Sequence, residues 1–412
     1  MPPSVFDTHC DGPGLLPTTV PWSRLYSTYR RFCCDVHSDI PIPTPSSAPG
    51  HDLRGKTVII SGSNSGIGKE AALHFLECGA TVILACRLTA THEQHPEETR
   101  SELLTRTGAD ADRVEVWEVD CSSLASVRAF GQRWHDSGRT CDILVNNAGL
   151  SPGKRIITDE GFELTQAVNF LSHTLITFYV LPSMRYSAAP RIVNTCSCFH
   201  AGGQLDFANF NNEKHTPGGQ SGVQWYCDTK LRLLMWTVEL QERLSRSDDY
   251  RHVIAHGVHP GFVGSNIWNN PNFQLTPLVT PLLRRLISRF SITPRQGAFV
   301  LIHAALCPDL GLPNSDSSTA SPLDDAKHAG ANGGDVANGG KREKAKQPSP
   351  GLSAKFGGKY VNRNIVDIRR PECDDILARS RLWQRVLEDT KAEQLGLAKD
   401  LPGHLPEILA FK

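Results

Sequence analysis

The chain has 412 residues, 39% hydrophobic and 21% charged, which is ample for a large globular core. Basic and acidic residues number 43 each, for a formal net charge of zero, so no general attraction to nucleic acid or acidic membranes is expected. Twelve cysteines lie scattered without a CxxC pair, which argues against a small disulfide scaffold and points to reduced thiols in an intracellular compartment.

Residues 1–53 read as a partly disordered N-terminal extension. Prolines and serines recur, especially from Pro41 to Pro49, and Trp22 to Phe32 mixes aromatics with Arg24, Arg30 and Arg31. That segment suits either an arm packed on the domain or an anchor for a membrane surface or a partner. Asp7 and Asp11 sit too early for a secretory signal, and no apolar run reaches the roughly 20 residues of a membrane-spanning helix.

Residues 54–312 change character. Short apolar strands are expected at Thr57–Ser61, Thr81–Cys86, Val114–Val119, Ile143–Val145, Arg191–Thr195 and Val253–Val258, with helical patterns between them, the first from Gly68 to Cys78. Buried strands alternating with helices predict an α/β fold, a single doubly wound parallel sheet with helices on both faces. Residues 313–351 are rich in Gly, Asn, Ser, Pro and Lys, and read as a disordered low-complexity insertion. The domain is expected to resume over 352–390, with a strand-like Gly357–Val361 and a helical Asp374–Leu387, before a C-terminal tail at 391–412.

The first strand runs into Ser61-Gly-Ser-Asn-Ser-Gly-Ile-Gly68, which opens a helix. Gly62, Gly66 and Gly68 permit a tight turn and close approach of backbone to a pyrophosphate, and the helix start supplies free N–H groups. Tyr226 and Lys230 are four residues apart and share one helix face. A phenol and an ammonium so placed suit proton transfer to a reacting oxygen. His173, His200, His256 and His259 share no ligand spacing, so no metal is expected.

With these motifs in hand, the chain resembles the short-chain dehydrogenase/reductase family, with its Rossmann-type sheet. The glycine turn matches the family's nucleotide motif, with Ser61 where threonine is usual. Asn146-Asn147-Ala148-Gly149 matches its NNAG motif, Asp120 its adenine-contacting aspartate, and His259-Pro260-Gly261 with Ser265 its PG motif. The resemblance implies a dinucleotide held by Gly62, Ser63, Asn64, Ser65, Gly66, Ile67, Gly68, Asp120, Asn146, Ala148, Gly149, Pro260, Gly261, Val263 and Ser265, together with Tyr226 and Lys230. It also implies a catalytic tetrad. Tyr226 is the acid/base, and Lys230 lowers its pKa and binds ribose. Ser197 orients the substrate oxygen, and Asn169 supports a proton relay by holding a water beside the lysine. Cys196 stands where a first serine is common, and Thr229 where a serine precedes the lysine. At the end of the second strand an acidic residue would hold a ribose 2′-hydroxyl. Arg87 stands there instead and suits a 2′-phosphate, so NADP(H) is the expected cofactor.

The polar gap from Asn209 to Gly222, the run Ala85-Cys86-Arg87 and the His-Pro-Gly run are similar to the retinol dehydrogenase and WW-domain-oxidoreductase branch, without a WW domain. The expected function is therefore an NADP(H)-dependent interconversion of carbonyl and alcohol on a small lipophilic substrate, such as a retinoid, steroid, polyprenoid or secondary metabolite. The competing reading is a catalytically idle nucleotide-binding interaction protein on the same fold. Leu278, Leu282, Leu286 and Phe290 line one apolar helical face opposite Arg284, Arg285 and Arg289. That face suits packing on the domain, a substrate lid or a peripheral membrane contact. An oligomer also stays open.

Overall fold

A computed structural model describes residues 51–89, 93–151, 155–213, 222–264, 291–307, 310, 357–362, 365–367 and 369–403. The extension up to residue 50, the 313–351 insertion, the 278–290 apolar face and Ser265 lie outside the described residues.

Eight strands form one sheet. In chain order they are β1 (Thr57–Ser61), β2 (Thr81–Cys86), β3 (Val114–Glu118), β4 (Ile143–Asn146), β5 (Arg191–Thr195), β6 (Ile254–His259), β7 (Tyr360–Asn362) and β8 (Ile365–Val366). The spatial order is β3-β2-β1-β4-β5-β6-β7-β8. All neighbours pair in parallel except β7 and β8, which are antiparallel. Chain order reverses between β1 and β4. In open α/β sheets the carboxyl ends of the strands flanking such a reversal form the ligand crevice, and here those ends are Ser61 and Asn146.

Alternation along the strands feeds two cores. Val58 and Ile60 of β1 join one cluster with α1 (Gly66–Glu77) and, farther along the chain, the helix Pro294–Leu306. Ile59 faces the other, built with α3 (Leu124–Asp136), α4 (Ser172–Met184) and α5 (Gly222–Arg246). Between these lies α2 (Pro96–Thr107). Pro294–Leu306 is α6, and α7 is Ile376–Thr390. Both faces of the inner strands β1, β2, β4, β5 and β6 are buried, which is why β1, β2 and β4 read as nearly continuous apolar runs, whereas the edge strands β3 and β8 are partly exposed.

Element bounds depart from expectation by a few residues, for local reasons. Helix α1 begins at Gly66, because Gly62 has already reversed the chain at φ 63°. Helix α7 starts after Asp375, whose carboxylate accepts from Ala378 N at 2.9 Å, and ends where Lys391 takes a left-handed φ of 57°. Beyond that end Ala392 and Leu401 are buried against the core.

Candidate active site

The glycine turn is shaped by what it excludes. A Cβ on Gly68 would stand 2.4 Å from Gly62 O and 2.6 Å from Asn147 Nδ2, and one on Gly62 would stand 2.9 Å from Ala148 Cα. The turn therefore sits directly on the 146–149 segment. Ser61 Oγ accepts from Asn147 N at 2.9 Å and Ala148 N at 3.1 Å. Its own proton is left for His173 Nε2 at 3.3 Å, a ring that burial keeps neutral with a pKa of about 3. Asn147 Nδ2 donates to the carbonyls of Ser61 and Gly62, both at 3.1 Å. Helix α1 has Ser65 at its N-cap position, with no side-chain cap bond and no acidic residue in its first turn. Such an end favours an anion, so the turn fits a dinucleotide's pyrophosphate. Gly68→Ala is expected to weaken the binding of a nicotinamide dinucleotide roughly 10- to 100-fold through overpacking against rigid backbone. Titration calorimetry, with circular dichroism to confirm the fold, checks this.

The remaining expected cofactor residues divide. Ser65, Gly66 and Ile67 are half-exposed along the crevice, and Ile67 packs with Val263, just beyond the Pro260-Gly261 turn, where Gly261 has φ 89°. Ser63, by contrast, turns inward and donates to Ile60 O at 2.9 Å. The side chain of Asn146 also points into the core, bonding Thr177 Oγ1 at 2.9 Å and Asn194 Oδ1 at 2.8 Å. Asp120 Oδ1 accepts from the N–H and hydroxyl of Ser122, which fixes its carboxylate at the end of β3. Arg87 is exposed at the end of β2, with its guanidinium 3.6 Å from Glu93. Glu93 Oε2 in turn accepts from Asn64 Nδ2 at 3.3 Å.

Ser197, Tyr226, Lys230 and Asn169 do converge. Tyr226 and Lys230 lie on α5, with the ammonium 5.4 Å from the phenol ring centroid. Ser197 follows β5, caps the 3-10 turn Cys198–Gly202 and hydrogen-bonds the Tyr226 hydroxyl. Its neighbours hold that turn still. His200 Nδ1 meets Ser197 O at 2.6 Å, and Arg370 donates to Gly203 O at 2.6 Å and Ala201 O at 3.2 Å. Lys230 Nζ donates to Thr195 O at 2.8 Å. Asn169 lies in a π turn, Ala167–Leu171, at the start of α4. Its amide accepts from Leu150 N and donates to Leu150 O, both at 2.9 Å, and reaches Thr229 Oγ1 at 3.3 Å. It thus braces the loop after β4 against α5. A Cβ on Gly149 would stand at ordinary contact distance from both Asn169 Oδ1, 3.5 Å, and Lys230 Nζ, 3.7 Å, which places those two groups beside the loop.

The electrostatics differ from the expectation that Lys230 lowers the Tyr226 pKa. Burial of the phenol pushes its pKa well up, against the smaller pull of the Ser197 hydrogen bond. Burial also lowers Lys230 to about 8. The cost of removing a phenolate from water dominates here. The phenol is therefore protonated at neutral pH, the form a proton donor needs. Residues that sequence spacing missed are the supports: Ser61, Asn147, Thr195, Thr229 and Arg370. Ser61, Asn147 and Thr229 sat inside recognised motifs, without a supporting role assigned to them. Nothing local marked Thr195 or Arg370.

A family model described as short chain dehydrogenase matches residues 56–274, more than half of the chain. The chain is 35% identical to mouse (Mus musculus) Retinol dehydrogenase 14 over 264 residues, covering 63% of this chain and 75% of that protein. It is 36% identical to human (Homo sapiens) Retinol dehydrogenase 11 over 258 residues, with the same coverage. A crystal structure of an uncharacterized protein from Mycobacterium paratuberculosis superposes with a TM-score of 0.54 at 24% identity, covering 85% of this chain and 97% of that one. That likeness speaks to the fold alone.

Proposed function

The chain belongs to the short-chain dehydrogenase family, in a retinol dehydrogenase-like branch, and we propose that it is an NADP(H)-linked reductase and dehydrogenase for a small lipophilic carbonyl/alcohol pair. The observation that carries this reading is the meeting of Ser197, Tyr226 and Lys230 beside the glycine turn. The nicotinamide, when bound, supplies or accepts the hydride. Every other task falls to side chains of the chain. Ser197 donates to the substrate oxygen and holds it at the phenol. Tyr226 passes its proton to that oxygen in reduction and takes it back in oxidation. Lys230 is anchored on Thr195 O, where its charge steadies the phenolate as it forms. Asn169 keeps the loop after β4 and helix α5 in register.

The proton arithmetic favours reduction near neutral pH. Lys230 carries its charge below about pH 8 and loses it above. Carbonyl reduction is therefore expected to fall as pH rises through about 8, as read from a kcat profile at saturating NADPH. A profile flat to pH 10 would remove Lys230 from the step.

Arg87 supports the choice of NADP(H). Among the described residues its exposed guanidinium is held only by a 3.6 Å ion pair with Glu93, which suits it to fork onto a 2′-phosphate. Arg87→Asp is expected to lower the NADPH-over-NADH preference by about 100-fold, since it removes a charged hydrogen bond and adds repulsion. An unchanged ratio of Kd values would defeat the assignment.

The relatives' names supply the substrate class, a lipophilic alcohol. Phe199 sets its ring edge against Tyr226, with centroids 6.1 Å apart, and offers an apolar wall beside the reacting groups. Nine cysteines among the described residues are free thiols, which supports an intracellular setting. Among the described residues no helix is long and apolar enough to cross a membrane.

A further inference from the structure

Helix α1 meets the crevice with its first turn. At its other end His51, His74 and Cys78 come together, each about 5% exposed. His74 and Cys78 are one helical turn apart and share a face. His51 arrives on the segment leading into β1, which is tied to the helix end by a hydrogen bond from Leu53 N to Cys78 O at 2.8 Å. One ligand-type atom from each of the three residues lies within 4.8 Å of the others.

Two features point to an ion rather than to simple packing. Nδ1 of His51 and Nε2 of His74 are fully enclosed and have no hydrogen-bond partner among the described residues. Orphaned buried nitrogens are costly, and two in one pocket are uncommon. The far nitrogen of His74, Nδ1, stands 3.9 Å from Glu77 Oε2. A carboxylate on that side favours the Nδ1–H tautomer and turns the Nε2 lone pair into the cluster, the outer support that ligating histidines have.

We propose that His51, His74 and Cys78 form a zinc site, with water as fourth ligand, which pins the entry to β1 onto the end of α1. Two imidazoles and a thiolate are the donors that zinc prefers. Both imidazoles have an enclosed ring nitrogen without a partner among the described residues, so a lone pair can face the ion. The thiol exchanges its S–H bond for an S–Zn bond and releases one proton to water, with no change of oxidation state. Bonds of roughly 2.0–2.3 Å set ligand atoms about 3.5 Å apart, so the cluster draws in by about 1 Å on binding. Asp52 and Glu77 lend negative charge nearby, against Arg295. The site lies at the end of α1 away from the dinucleotide crevice and is independent of the reading of the reaction.

The test uses the full chain, stripped by a chelator and titrated with Co2+. One equivalent should give tetrahedral visible bands and a thiolate-to-cobalt charge-transfer band, both displaced by Zn2+. Zn2+ at a hundredfold excess over its Kd should raise Tm by roughly 5 °C. Cys78→Ser should abolish the charge-transfer band, and His51→Ala should abolish the tetrahedral bands, with NADPH affinity unchanged in both. No band in the parent chain would overturn the proposal. So would a charge-transfer band that survives in Cys78→Ser, because the thiolate would then lie elsewhere. Should His51→Ala fail to fold, Cys78→Ser, which nearly keeps side-chain size, decides.

Discussion

Tyr226→Phe should lower carbonyl-reducing turnover by about 10³-fold, the usual weight of a positioned general acid, while NADPH affinity stays within a few-fold. The phenyl ring keeps its edge contact with Phe199 and its place near Lys230, so packing is preserved. Only the proton and the hydrogen bond to Ser197 are lost. On the proposed mechanism the deficit should sit in kcat, because the phenol's proton would be used in the transition state and contribute little to ground-state binding. Stopped-flow decay of NADPH under single-turnover conditions isolates that step. Parent-like turnover would remove Tyr226 from the chemistry.

Glu239→Ala should destabilise the fold by roughly 3 kcal/mol. Glu239 is fully buried on α5 and meets Arg243 at 2.7 Å and Arg379 of α7 at 3.4 Å. Truncation leaves two buried guanidiniums with Glu242, 2.6 Å from Arg379, as the remaining carboxylate of the cluster. The network joins α5, which carries Tyr226 and Lys230, to α7 beyond the 313–351 segment. Trp236 stacks on Trp383 beside it, with centroids 6.0 Å apart. The change is measured as a shift in the urea midpoint at constant slope. A loss below about 1 kcal/mol would mean that solvent reaches the pair and screens it.

The inner strands were legible because they are short runs buried on both faces, and the glycine turn because its spacing is local, whereas the two-residue, partly exposed β8 was not expected. Tyr226 and Lys230 share a helix face, so their pairing also followed from spacing alone. What escaped was set by contacts between distant segments. Lys230 is anchored on Thr195, 35 residues away in sequence, and Arg370 clamps Gly203 across 167. The direction of the Tyr226 shift depends on burial, which a motif does not encode. The side chains of Asn146 and Ser63 sit in recognised motifs, yet one bonds in the core and the other bonds back to its own strand. In both, the backbone position is what the motif preserves. The cluster of His51, His74 and Cys78 joins residues from two elements, so no single spacing announced it.

The most direct measurement is NADPH consumption when retinaldehyde and a panel of other lipophilic aldehydes and ketones are added to the purified chain. The account predicts loss of NADPH matched mole for mole by the alcohol product for at least one compound. Tight NADPH binding with no oxidation by any of them would contradict it and favour a nucleotide-binding protein that performs no chemistry.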